Sequence, residues 1–101
     1  MKYLYKSLTN SILKKFSDVD VNFIVDRFLL RVNGNLICEV EFLKSSFNIY
    51  FHVDNLDNAE RTIDVSNKST GGKAKYKLKY NSYDDFDYFM DLFKQTYNQK
   101  K

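Results

Sequence analysis

The chain is 101 residues long, which suits one domain with one core, and its formal net charge of +3 leans mildly toward an acidic partner. One cysteine excludes an intramolecular disulfide framework, and with one histidine it excludes a self-contained structural zinc site. No apolar run is long enough for a membrane-spanning helix and no signal peptide is visible, so the chain reads as soluble and cytoplasmic.

Residues 3–16 carry the first periodic pattern. Leu4, Leu8, Ile12 and Phe16 recur at four-residue spacing, with Tyr5 and Leu13 widening the stripe, which predicts an amphipathic helix. Lys14 and Lys15 suit its C-terminal end. Residues 19–26 then alternate, with Val19, Val21, Phe23 and Val25 on one face. That parity does not continue into Phe28, Leu30 and Val32, so a bulge or break is expected near Asp26.

Residues 27–53 read as an antiparallel meander, with period-two alternation in three runs. Phe28, Leu30 and Val32 form one apolar row. Leu36, Cys38, Val40 and Phe42 form the next, and Phe47, Ile49, Phe51 and Val53 the third. Asn33-Gly34 is a hairpin signal. A two-residue loop would place Arg31 on the apolar face opposite Leu36, a costly burial. A three-residue loop over Asn33-Gly34-Asn35 pairs Leu30 with Cys38, Val32 with Leu36 and Arg27 with Glu41, and is the expected register. Gly34 or Asn35 then takes positive φ.

Residues 54–72 carry little periodicity. Residues 54–58 have the makings of a helical turn, Ile63-Asp64-Val65 of a short extended piece, and residues 66–72 of a polar loop. Residues 73–80, KAKYKLKY, predict the last strand. Ala74, Tyr76, Leu78 and Tyr80 point one way; Lys73, Lys75, Lys77 and Lys79 point the other. Ser82 is a candidate N-cap for a final helix, with Asp85 completing a capping-box-like arrangement. Its apolar stripe is Phe86, Phe89, Met90, Phe93 and Tyr97.

The expected architecture over residues 1–101 is a single α+β domain. It is a two-layer sandwich, with both helices on one face of an antiparallel sheet. The other face carries Arg27, Leu29, Arg31, Ile37, Glu39, Glu41, Asn48, Tyr50, His52 and the lysine row. It is expected to be open to solvent or to a partner.

One resemblance covers the chain from about Leu8 onward. It rests on the meander, the turn at residues 54–58, the Asp64-Val65-Ser66 triplet, a Gly-containing loop and the Lys-Tyr-Lys-Leu strand. A closing helix with Asp84-Asp85-Phe86-Asp87-Tyr88, Leu92, Lys94-Gln95 and Tyr97 completes it. The pattern resembles a bacterial family of small domains often labelled "predicted transport protein". Its members stand alone or lie C-terminal to predicted restriction-type nucleases. The resemblance implies an accessory role in nucleic-acid transactions or defence. Transport across a membrane has no counterpart in this chain. The family's loop before the last strand often carries His and Trp; here it reads Ser69-Thr70-Gly71-Gly72.

No residue set points to catalysis. Cys38 and His52, the one Cys–His combination, fall on opposite faces in the expected register, so a nucleophile–base dyad is not formed. Helix-start acids explain Asp84, Asp85 and Asp87. No metal or cofactor is expected. The leading expectation is a non-enzymatic binding module. Lys73, Lys75, Lys77 and Lys79, extended by Arg27 and Arg31, would contact nucleic-acid phosphates, with Tyr50 as a stacking surface. Against it stands the ordinary role of strand lysines, which keep a face soluble and block edge pairing. The alternative is a protein-interaction module, either a homodimer or a small inhibitor of a larger bacterial or phage machine.

Overall fold

The first periodic stripe becomes α1, Lys2–Lys15, in a computed structural model that describes residues 2–44, 46–65, 74–81 and 85–100. Leu8 and Ile12 are buried, and Phe16 packs its ring against Phe93 and Tyr97. Leu13 does not widen the stripe; it is exposed. After the helix, the Val19 N–H donates to the Phe16 carbonyl and turns the chain into the sheet.

Six strands follow: β1 Val19–Ile24, β2 Arg27–Val32, β3 Asn35–Phe42, β4 Phe47–Phe51, β5 Ile63–Asp64 and β6 Tyr76–Tyr80. The closing helix α2 is Phe86–Lys100. The spatial order is β1-β2-β3-β4-β6-β5, every neighbouring pair antiparallel. Both helices contribute to one apolar core with the inward rows of the sheet, including Phe28, Leu30, Val40, Ile49 and Leu78. The fold is therefore the expected two-layer α+β arrangement.

The break near Asp26 is a tight turn: Ile24 pairs with Arg27 and leaves Val25-Asp26 as the two loop residues. The next hairpin differs from expectation in an informative way. Asn33 and Gly34 both have positive φ, 52° and 79°, the requirement of a two-residue hairpin turn whose twist suits the strands. Val32 then pairs with Asn35, and Arg31 with Leu36. The register shifts between Leu30 and Arg31, and beyond it Leu30 pairs with Cys38 and Arg27 with Glu41 as the apolar rows demand. The extra residue thus sits in strand β3 rather than in the turn. Its consequence is that Ile37 and Cys38 both enter the main core, so Ile37 is not on the outer face.

The segment between β5 and β4 is held by side chains of α2. Gln95 accepts a hydrogen bond from the Asp57 N–H and donates to the Asp57 carbonyl. The Tyr88 hydroxyl accepts from the Arg61 N–H and donates to the Asn58 carbonyl. Residues 54–58 make no helical turn, and Asn58 takes φ 62°. The buried face of α2 is wider than the expected stripe: Leu92 and Thr96 are as enclosed as Phe93. Asp85 accepts from the Asn81 N–H and pairs with Arg61; the expected cap at Ser82 lies outside the described residues.

Candidate functional site

The outer face of the sheet was the expected site, and strand pairing fixes its map. One row across it reads Arg27, Glu41, Asn48, Lys79; the next reads Leu29, Glu39, Tyr50, Lys77, Ile63. Positive groups therefore flank a pair of carboxylates instead of forming one basic patch.

Arg27 is committed to those carboxylates. Its Nη1 lies 2.9 Å from Glu39 Oε2, its Nη2 3.5 Å from Glu41 Oε2, and its Nε 3.2 Å from Asp26 Oδ1. The hydrogen bond to Glu39 is the largest influence raising the pKa of its guanidinium. Glu39 also sits 3.1 Å from His52 Nε2 through its other oxygen. Asn48 and Tyr50 both donate to Glu41 Oε1, at 3.2 and 3.3 Å.

The middle of this face is not open. Glu39 is only 7% exposed, and His52 and Tyr50 are as enclosed. Tyr50 forms a small second apolar cluster with Val65 and Ala74. Ala74 thus joins the outer-face cluster instead of the core row of Tyr76, Leu78 and Tyr80. Burial is the largest cause raising the Tyr50 hydroxyl's pKa, with the Glu41 charge adding to it. Burial also lowers the pKa of His52, against the opposing pull of Glu39. His52 is then a neutral ring at pH 7, its Nε2–H facing the carboxylate.

The candidate nucleic-acid residues are consequently dispersed. Lys75 precedes β6 and is exposed, with its ammonium 3.8 Å from Asp54. Lys77 and Lys79 follow on β6, and among the described residues neither forms a salt bridge. Arg31 stands three strands away, opposite Asp20. Tyr50 lacks the open ring face that base stacking requires. Lys73 and the loop at residues 66–72 lie outside the described residues.

Cys38 and His52 are held apart, as expected. Cys38 is sealed in the main core, where burial pushes its thiol well above 9.0, while His52 belongs to the outer network. Among the described residues, no group of three or more His, Cys, Asp or Glu is placed to hold a metal ion. No described helix is long and apolar enough to cross a membrane. A groove of about 420 Å³ lies between the 54–64 segment and β6, lined by Asp54, Ala59, Thr62, Asp64, Lys75 and Tyr76.

A different surface stands out at the other side of the sheet. β1 is its outermost strand, and the apolar residues at its far end are uncovered: Phe23 is 50% exposed, Ile24 49%, and Val25 fully. Leu43 is exposed at the same end, because the Phe42 N–H donates to the Asp26 carbonyl and brings the two turns together. Sequence reasoning missed this surface, although Phe23-Ile24-Val25 carried a signal: three consecutive apolar residues break the period-two pattern directly before a turn. It missed the Glu39–His52 contact as well, since alternation alone marks both residues only as outward.

Comparison with protein-family models, with curated proteins and with solved structures finds no match to this chain.

Proposed function

We propose that this chain is a non-enzymatic binding module that docks another protein on the β1 side of its sheet. The observation that carries the reading is the exposed apolar end formed by Phe23, Ile24, Val25 and Leu43 at the outermost strand of the sheet. Edge strands in monomeric proteins are ordinarily blunted by lysine, proline, bulges or a covering element. Val19–Ile24 has no lysine, proline or bulge and a single charge, Asp20, and its ladder to β2 is regular throughout. Such an edge is suited to strand addition, with backbone hydrogen bonds for affinity and exposed side chains for selectivity.

The test compares the parent chain with a Phe23→Lys/Ile24→Lys variant as bait, followed by direct binding of each purified captured protein. The reading expects specific partners of the parent to be lost by the variant and kept by Lys77→Glu/Lys79→Glu. Equal binding of those partners by the Phe23/Ile24 variant contradicts it.

A second reading keeps phosphate contact at Lys77 and Lys79. It is favoured by their positions two residues apart on the outer side of β6 without a described anionic partner, and by the resemblance to domains found beside nucleases. Binding to generic DNA or RNA that weakens steeply with salt, and is lost on Lys77→Glu/Lys79→Glu, is its signature.

A further inference from the structure

The buried carboxylate of the outer face is shared by two cationic side-chain types that differ in when they are charged. Glu39 meets His52 Nε2 through one oxygen, at 3.1 Å, and accepts from Arg27 Nη1 through the other, at 2.9 Å. The guanidinium is always charged, whereas an imidazole changes charge close to neutral pH. Arg27 in turn holds the first hairpin turn, its Nε donating to Asp26 Oδ1 at 3.2 Å. The Asp26 carbonyl accepts from the Phe42 N–H at 2.9 Å, the bond that joins this turn to the chain leading into Leu43. A continuous line of contacts therefore runs from a buried imidazole, through Glu39, Arg27 and Asp26, to the end of the sheet where Ile24, Val25 and Leu43 are exposed.

The groups around His52 decide what a proton on it does. Glu39 faces it from β3, and the Lys100 ammonium acts on it from the end of α2. On the β6 side, Lys75 directs its ammonium to Asp54, 3.8 Å away. On β4 itself, the Tyr50 hydroxyl donates to Glu41 at 3.3 Å. Protonation thus turns the contact with Glu39 into a charge-assisted hydrogen bond. It also sets a second cation beside Arg27 on one buried carboxylate, where repulsion between like charges is poorly screened. Burial lowers the pKa of His52 from 6.5, so the change falls on the acid side of that value. We infer that protonation of His52 is relayed through Glu39 and Arg27 to the Val25-Asp26 turn and loosens its bond to Phe42. Mild acid then unfastens the apolar end of the sheet, a consequence for binding that rests on the docking reading above.

The test is amide hydrogen exchange of the full chain alone, from neutral pH through the midpoint of the His52 imidazole, which NMR follows directly. Each rate is corrected for the intrinsic pH dependence of exchange. The inference expects the Phe42 amide to lose about fivefold in protection relative to the Ile49 amide as His52 takes up its proton, the two changes sharing one midpoint. In His52→Gln, whose side-chain amide offers Glu39 a donor of constant charge, the Phe42 protection holds. Equal losses at Phe42 and Ile49 report global unfolding and overturn the relay. A Phe42 loss that is absent, that has a midpoint away from that of His52, or that persists in His52→Gln overturns it as well. No partner takes part, so each of these outcomes leaves the docking reading to the capture experiment, and failure of the capture experiment leaves the relay standing.

Discussion

Glu39 occupies a strand position that alternation assigns to solvent, yet it is buried. A carboxylate is tolerated there because Arg27 and His52 each take one of its oxygens. Replacing it by glutamine leaves Arg27 with weaker partners, and a loss of about 2 kcal/mol in urea denaturation is expected. His52 gives a pH signature. Burial holds its folded pKa below 6.5, while the unfolded chain takes up the proton near the ordinary value of about 6.5. The contribution is fully present above that value and is lost as pH falls from it toward the folded pKa. Stability should therefore drop more between neutral and mildly acidic pH in the parent than in His52→Gln. Equal drops contradict the assignment. None of this contact was legible in the sequence, because period two tells which side a residue takes but not what covers that side. Cys38 was legible for the opposite reason: an apolar row and a small side chain already describe its environment.

At the scale of elements, the β2–β3 hairpin shows how two local rules were reconciled. Turn chemistry called for two loop residues at Asn33-Gly34, and the apolar rows called for Leu30 opposite Cys38. Both hold, since the irregularity between Leu30 and Arg31 absorbs the extra residue. A sequence pattern locates such a residue only to within the hairpin, which is why the loop looked one residue longer and Ile37 looked outward. Gly34 has φ 79° with open space where a Cβ would stand. Gly34→Ala is expected to cost about 1 kcal/mol in thermal denaturation, through backbone strain alone. The segment at residues 54–62 was illegible for another reason: its order comes from distant side chains on α2 rather than from its own periodicity. Tyr88 makes two hydrogen bonds to it, at 3.1 and 2.6 Å. Tyr88→Phe should lose about 1 kcal/mol and speed amide exchange at Arg61, with the β4 amides unaffected. Unchanged exchange at Arg61 argues against this anchoring.

The whole molecule is a sheet with unequal sides. On one side β6 carries lysines and is flanked by the two-residue β5. On the other, the six-residue β1 carries none and ends in uncovered apolar side chains. The two-layer architecture was legible because two amphipathic helices and alternating strands admit few arrangements. The site was not, because the lysine row is a strong local pattern whereas an edge exists only once strand order is known. Arg27 is the exception: its place opposite Glu41 followed from the expected register, and pairing commits it to both carboxylates.

The most direct test of this account is amide hydrogen exchange in β1, measured for the chain alone and with a purified partner captured through the Phe23 and Ile24 surface. The Val21 amide should gain protection when the partner binds, while the amides of β3 stay protected throughout. A Val21 amide that exchanges equally fast with and without the partner would contradict docking at this edge.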